Sequence, residues 1–385
     1  MSETILITGG SGCLGQQIIK HLQEHDTDSQ IQEIRVLDLV PYENSLGYKE
    51  RIPVKGFVGD VTVVDSTLRD VFKDVDVVFH CAAFISLSFP PKQDQLEKVN
   101  VEGTQNVVNL CVENNVKYLI HTSDIFVTLV PFTKLGMFGA VVNETESKTK
   151  MPTTDDQFLI PGYPPSKLRG EKVVLEANGM QLKNGKDILK TVALRFPLMY
   201  GEGDRHCVSK LIEVSERWNG QIPKIAGDGG KHQLIYAGNA AWGHICAKNT
   251  LKNDPKRIAG LPVSLTDESP IYDITRFTNL MLTRNSEVFK VRPSSWKVPF
   301  LLSFILALIF EFFFGILHKV TGCRLEYSPK SMVSYCGSLT LWSRLRASIQ
   351  MNYDPLYTPE ESWKRSAKWY EKWYLEEFKN KKKDT

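Results

Sequence analysis

Residues 4–15 read TILITGGSGCLG. Ile5-Leu6-Ile7 is a short apolar run of the kind that forms a buried parallel strand. It passes into Thr8-Gly9-Gly10-Ser11-Gly12, and a helical run opens at Cys13-Leu14-Gly15. Glycines at 9, 12 and 15 give the G-x-x-G-x-x-G spacing. Between a strand and a helix, that spacing lets backbone approach a pyrophosphate on the helix N-terminus. Gly9, Gly12, Cys13, Leu14 and Gly15 are therefore the first candidate binding residues.

Working outward, the same strand–helix alternation continues. Gln16–Glu24 reads as a helix and Ile34–Leu37 as a second strand ending at Asp38. A carboxylate there accepts bonds from both hydroxyls of an adenosine ribose and repels a 2′-phosphate, which favours NAD over NADP. Val54–Val58, Val75–Phe79 and Val116–His121 read as further strands, separated by helices at 66–72 and 96–114. This βαβαβ order predicts a Rossmann-type, doubly wound α/β fold with a parallel sheet. Gly9, Asp38, Asp60, Ala82 and Ser123 all fall at carboxyl ends of strands, where such sheets bind ligands.

Tyr163 and Lys167 stand four apart at the start of the next helix, so they share a face. A phenol is a poor base at neutral pH. A neighbouring ammonium is expected to lower its pKa, so that the phenolate takes the proton of an alcohol while hydride leaves to NAD. Thr191–Phe196 reads as the last strand of this domain. Beyond it, helices at 208–219, 240–251 and 274–282 and short strands at 233–237 and 262–265 suggest a smaller lobe. The expected division is a cofactor domain at 1–196, a substrate lobe at 197–296, a membrane-associated segment at 297–319 and a C-terminal region at 320–385.

The membrane segment centres on Val298–Leu317, 20 residues with one charge, Glu311. That length is enough to cross a bilayer. A Trp/Tyr-rich amphipathic helix at 359–378 is expected to return to the catalytic domain, which favours in-plane or re-entrant insertion over a single crossing. The chain ends Lys382-Lys383-Asp384-Thr385, a dilysine pattern suited to a cytosolic tail on the endoplasmic reticulum membrane.

Composition limits the alternatives. The chain has 385 residues, 42% of them apolar, and a net charge of +3 with no basic arm, which argues against nucleic-acid binding. Its seven cysteines are scattered without a C-x-x-C pair, so neither a metal site nor a disulfide framework is expected. The sequence opens directly on a strand, so no secretory leader is expected.

TILITGGSGCLG, FHCAA, VNVEGTQNVVNLC and YPPSK resemble the extended short-chain dehydrogenase/reductases. LRFPLMYGEGD, IYAGNAAWGHICAKNTL, TDESPIYD and NYDPLYTPEESW resemble, within them, the 3β-hydroxysteroid dehydrogenase/Δ5–Δ4 isomerase family. The resemblance implies a membrane-bound enzyme that uses NAD to oxidise a 3β-hydroxyl on a sterol or steroid. It implies Gly9, Gly12 and Gly15 on the pyrophosphate, Asp38 on the adenosine ribose, and Asp60 and Val61 near the adenine. Tyr163 would transfer the proton, and Lys167 would lower its pKa and hold the nicotinamide ribose. Asp267 and Asp273 match positions linked to isomerisation, although the run between them is shorter here. The resemblance also implies a homodimer through the helices at 96–114 and after Tyr163. The same motifs fit a decarboxylating sterol 4α-carboxylate 3-dehydrogenase.

One departure stands out. The family places Ser or Thr where this chain has Asp124, after Thr122-Ser123. An ionised carboxylate can only accept hydrogen bonds and would repel a developing alkoxide. Three outcomes follow: Ser123 substitutes, Asp124 acts protonated or as an alternative base, or the protein binds NAD with impaired catalysis.

Overall fold

Every residue of the first strand, Glu3–Thr8, is buried, as a strand covered on both faces requires. Ile5 and Ile7 face one core, and Leu6 faces the other. The computed structural model describes residues 3–25, 31–133 and 136–378, so the dilysine end lies outside the described residues. In chain order the elements are β1 (Glu3–Thr8), α1 (Cys13–Glu24), β2 (Ile31–Asp38), β3 (Val54–Val58), α2 (Ser66–Val71) and β4 (Val77–His80). A long helix follows as α3 (Gln93–Glu97), a π-helical stretch (Lys98–Gly103) and α4 (Thr104–Glu113). Then come β5 (Tyr118–Thr122), β6 (Ala140–Glu144), α5 (Tyr163–Glu176), β7 (Lys190–Arg195) and β8 (Met199–Tyr200). The remainder is α6 (Val208–Arg217), β9 (Gln221–Lys224), β10 (Lys231–His232), β11 (Ile235–Tyr236), α7 (Ala237–Asn253), β12 (Leu261–Ser264), α8 (Ile274–Asn285), β13 (Arg292–Lys297), α9 (Phe300–Thr321), α10 (Pro329–Cys336), β14 (Leu339–Trp342), α11 (Leu345–Met351) and α12 (Pro359–Trp373).

The main sheet has seven parallel strands in the order β12-β7-β5-β4-β1-β2-β3. The order reverses between β1 and β4, which opens a crevice at their carboxyl ends. That crevice carries the glycine loop on one side and Cys81-Ala82 on the other.

The sheet corrects the expected domain boundary at 196. β12, at 261–264, pairs with β7 through Leu261↔Val192 to Ser264↔Arg195. The helix before it, α7, joins α1 in one core through Ala240, Ala241, Ile245, Ala247 and Leu251. The small side chains along that face let α7 lie close against the sheet, so residues 237–264 return to the cofactor domain.

The lobe is built on an aromatic cluster that includes Tyr200, Phe277, Trp363, Tyr370 and Trp373. α12 brings three of these, and its N-terminus carries a capping box between Thr358 and Glu361. The Tyr370 hydroxyl donates to Asp204, 2.8 Å away, and ties the helix to the loop after β8.

α9 is apolar around its circumference, with a mean hydropathy of 2.6, yet only Ser303, Phe304 and Ala307 are buried. It is not a core helix. Its single carboxylate, Glu311, accepts from Ser328 Oγ at 2.6 Å and from the Lys330 amide at 2.9 Å, at the start of α10. The chain therefore doubles back from the end of α9 to its middle. Before α9, β13 pairs with β9; after it, β14 pairs with β6 and β10. Both flanks are thus anchored in the same body.

Candidate active site

β1 delivers the glycine loop and α1 receives it. Gly9 has φ +72, and a Cβ there would meet the Ala82 amide nitrogen at 2.7 Å. A Cβ on Gly15 would strike Gly9 O and Gly10 Cα at 2.5 Å. These two glycines are required by the fold itself. Gly12 is different: its added Cβ would meet only Gly9 O, at 3.3 Å. It caps α1 with no side-chain bond, so the first amides of that helix, at Cys13, Leu14 and Gly15, point outward. The buried Ser11 hydroxyl has no partner among the described residues. Open space, unpaired donors and a helix N-terminus fit a pyrophosphate.

Asp38 closes this cradle at the end of β2. Its Oδ2 accepts from the Ser11 amide at 2.9 Å and its Oδ1 from the Leu39 amide at 2.7 Å. Both oxygens are fixed and each keeps a lone pair for a ribose hydroxyl. After β3, Asp60 Oδ1 accepts from the Thr62 amide at 2.8 Å, which turns the chain at the buried Val61. The residues present therefore fit a dinucleotide laid across the crevice from Asp60 to Ala82.

Tyr163 and Lys167 sit on the first turns of α5, both buried. Lys167 Nζ donates to the Thr122 carbonyl at 2.7 Å, at the end of β5, and its remaining protons are free for a ribose. Burial pulls this ammonium down to about 8, opposed by the Asp124 charge. α5 is held from below. Asn100, in the π-helical stretch, donates to Ser166 Oγ at 2.9 Å and to the Phe84 carbonyl at 3.0 Å.

Ser123 and Asp124 diverge. Ser123 Oγ donates to Glu171 Oε2 at 2.5 Å, and Glu171 is held by the Arg195 guanidinium in a buried pair. This hydroxyl anchors β5 to α5 and β7, which leaves it committed to Glu171 and disfavours the outcome in which Ser123 substitutes for Asp124. Asp124 lies beside Tyr163. Its Oδ1 accepts from the Phe126 amide at 2.8 Å, and its carboxylate lies near enough to the buried Tyr163 phenol for each to shift the other's pKa.

The protein groups around Tyr163 raise its phenol and do not lower it. Burial, then the Asp124 charge, push the Tyr163 phenol well above its usual value. The carboxyl of Asp124, by contrast, is pushed up to about 6 by burial, against the Phe126 amide and the Lys167 charge. Of the pair, the carboxylate is the group that can hold a proton reversibly near neutral pH.

Residues 6–299 match the model of the 3-beta hydroxysteroid dehydrogenase/isomerase family. The chain belongs to this family. Solved structures of similar fold include MoeE5 in complex with UDP-glucuronic acid and NAD, at TM-score 0.65 and 15% identity over 96% of this chain and 99% of that one. The UDP-glucuronic acid 4-epimerase of Bacillus cereus, with UDP-glucuronic acid and NAD, superposes at 0.65 with 16% identity over 96% and 100%. The UDP-glucose 4-epimerase of Bifidobacterium longum, with NAD+ and UDP, superposes at 0.64 with 16% identity over 96% and 98%. At these identities the likeness is one of fold.

The two acidic residues that the resemblance linked to isomerisation, Asp267 and Asp273, each accept hydrogen bonds within the lobe. Asp267 is buried and accepts from the Tyr236 amide, Asn239 Nδ2 and the Ser269 amide at 2.9–3.0 Å. Asp273 caps α8 by accepting from the Arg276 amide at 3.0 Å. The Glu171–Arg195 pair is the functional element that sequence reasoning missed. Glu171 lies four residues past Lys167 and eight past Tyr163, on the same helical face, which is the signal that could have found it.

Proposed function

We propose that this protein is an NAD-dependent dehydrogenase that oxidises the 3β-hydroxyl of a neutral sterol or steroid at a lipid surface. The observation that carries the reading is the buried Tyr163–Asp124 pair beside Lys167, at the strand ends that face the glycine loop. When bound, NAD supplies the hydride acceptor. The substrate hydroxyl gives its proton to Tyr163 Oη as the phenol passes its own to Asp124. The carboxylate is neutralised as charge develops on the substrate oxygen, so the repulsion expected of an aspartate there does not build up. Lys167 holds the ribose and keeps the polar edge of the site positive. The proton on Asp124 is then released to solvent, and the products are the ketone, NADH and a proton.

The decarboxylating alternative is less well supported by this site. Its substrate carries a carboxylate on the carbon next to the reacting one, and Asp124 would face it with like charge. The test of the main reading is a screen of neutral 3β-hydroxysterols and steroids in detergent, followed by NADH formation. Protein that binds NAD and reduces it with none of them would overturn the proposal.

Asp38 sets the cofactor in this reading. Asp38→Ala is expected to raise the KM for NAD about tenfold, the effect of losing a charged hydrogen bond, and to narrow the preference over NADP. Steady-state kinetics with both cofactors checks this; unchanged KM values would remove Asp38 from the site.

α9 supports the lipid surface. A helix of 22 residues is about 33 Å long, and its exposed face carries Phe310, Phe312, Phe313, Ile316 and Leu317. Lys297 precedes it and His318-Lys319 end it. The Glu311 bonds to α10 would be lost in a single crossing, so the helix lies in the plane of one leaflet. Replacing Phe310, Phe313 and Leu317 by Gln is expected to abolish co-flotation with phosphatidylcholine vesicles while NAD binding persists. Flotation equal to wild type would sink the assignment.

A further inference from the structure

The apolar helix α9 has two unlike faces. Phe300, Ser303, Phe304, Ala307 and Glu311 recur at helical spacing and are buried or half-buried. Phe304 and Ala307 share a small core with Val333 of α10, and Met137, Ile225 and Phe300 pack against it. The other face is exposed and apolar. Glu311 lies on the packed stripe. One oxygen, Oε1, accepts both from Ser328 Oγ at 2.6 Å and from the Lys330 amide at 2.9 Å.

The chain between α9 and α10 reaches the catalytic site. Phe89 and Leu325 exchange backbone hydrogen bonds of 3.1 and 2.9 Å, and the Ser328 amide donates to the Leu87 carbonyl at 3.0 Å. Residues 325–328 are thus a strap paired to residues 87–89. Those residues belong to the loop that follows β4 and begins at Cys81-Ala82, one wall of the dinucleotide crevice. The rest of the loop is fixed around the catalytic pair. The Phe84 amide donates to Asn100 Oδ1 at 2.8 Å. Leu87 packs on the cluster that contains Ile125 and Phe126, the two residues after Asp124. A Cβ on Gly162 would meet the Pro91 side chain at 2.7 Å, so Pro91 lies against the residue before Tyr163. A continuous set of contacts therefore runs from the middle of α9, through Ser328 and Leu87, to the neighbours of both Asp124 and Tyr163.

We propose that Glu311 is a positioning residue that couples docking of α9 on a bilayer to the placement of the 84–91 loop beside the Tyr163–Asp124 pair. The inference rests on the lipid-surface reading of α9 and adds a route by which the lipid acts on the chemistry. A ligand shifts an equilibrium only through a difference in its interaction with the two states. Here the difference lies in the carboxylate. In water, a Glu311 released from Ser328 is solvated, so the bond adds little. Beside lipid, no water replaces the lost donors, and an unpaired carboxylate is costly. A bilayer over the apolar face therefore favours the arrangement in which Glu311 holds Ser328 and Lys330, and with it the strap on the loop.

The experiment is amide hydrogen exchange on the full chain, free and bound to phosphatidylcholine vesicles, with co-flotation measured on the same samples. The amides of Phe89, Leu325 and Ser328 are protected by the strap, so exchange in residues 84–92 and 323–330 reports its release. Vesicles are expected to slow that exchange about tenfold, within the usual range for coupling between two sites, while β1 and β4 are unchanged. Glu311→Leu is expected to float like wild type and to lose the slowing at 84–92. Glu311→Gln, whose amide oxygen accepts the same two bonds, is expected to keep most of it. Wild-type protein that floats but exchanges at 84–92 equally with and without vesicles would overturn the coupling and leave the lipid-surface reading standing. A vesicle effect that survives intact in Glu311→Leu would overturn the role of Glu311. Wild-type protein that does not float would remove the lipid-surface reading, and the coupling with it. The wild-type comparison decides the coupling even if Glu311→Leu does not fold.

Discussion

Tyr163→Phe is expected to lower kcat by about 10²–10⁴-fold, the usual contribution of a positioned proton-transfer group. The variant loses one oxygen and no packing volume. Tyr163 is buried on the first turn of α5, so Phe fills the same space. Asp124 keeps its bond from the Phe126 amide and stays in place. What is lost is the bridge between the substrate hydroxyl and the carboxylate. The glycine loop, Asp38 and Lys167 are untouched, so NADH binding, followed by fluorescence, is expected to stay within about twofold of wild type, well short of the tenfold that 1.4 kcal/mol would produce. Turnover near the wild-type rate would show that the substrate proton reaches Asp124 or solvent directly. Loss of NADH binding would show that the tyrosine mainly supports the cofactor site.

The elements whose signals are local were legible in the sequence. β1, the glycine turn and α1 are set by an apolar run, φ-permissive residues and a helical pattern within 24 residues. α5 opens at Tyr163, where the sequence places the start of that helix, and runs to Glu176. Sheet membership was not legible for β12. A four-residue apolar strand carries no label for its partner, and its pairing with β7 joins residues about 70 apart in sequence. α9 was legible as an apolar helix, but its partnership with α10 depends on Glu311, which reads in sequence only as a stray charge.

The site divides in the same way. Residue types at Tyr163, Lys167 and Asp124 pointed to acid–base chemistry. The sign of the tyrosine shift did not follow from them. A spacing of four puts an ammonium near a phenol, but burial and the Asp124 charge set the direction of the phenol's shift. Ser123 and Asp124 are neighbours in sequence, Asp124 at the family's donor position and Ser123 as its possible substitute. Alternation along an extended strand end sends them to opposite sides, so Ser123 meets Glu171 and Asp124 meets Tyr163. The partners across the fold, Glu171 and Arg195, are what commit Ser123 to the interior.

Asp124→Asn is expected to lower kcat/KM at pH 7 by about 10²-fold or more and to change the shape of the pH profile. In the proposed mechanism the base is the carboxylate, whose pKa is pushed up to about 6 by burial. It must be ionised to take a proton, so kcat/KM is expected to rise as pH passes through about 6 and then level off. An amide takes no proton. In the variant the phenol must ionise unaided, and its pKa is held well above the ordinary value by burial. The limb near pH 6 should therefore vanish, leaving a rate that still climbs in the alkaline range. Asp124→Ser separates this role from impairment. Serine offers a donor to the substrate oxygen but no base, so turnover at pH 7 is expected to fall and the alkaline climb to appear. A large gain in turnover at pH 7 would mean that the carboxylate obstructs catalysis, and the protein would then be better described as an NAD-binding protein with a weakened site. A profile that keeps its limb near pH 6 in both variants would assign that limb to another group and remove Asp124 from the proton path.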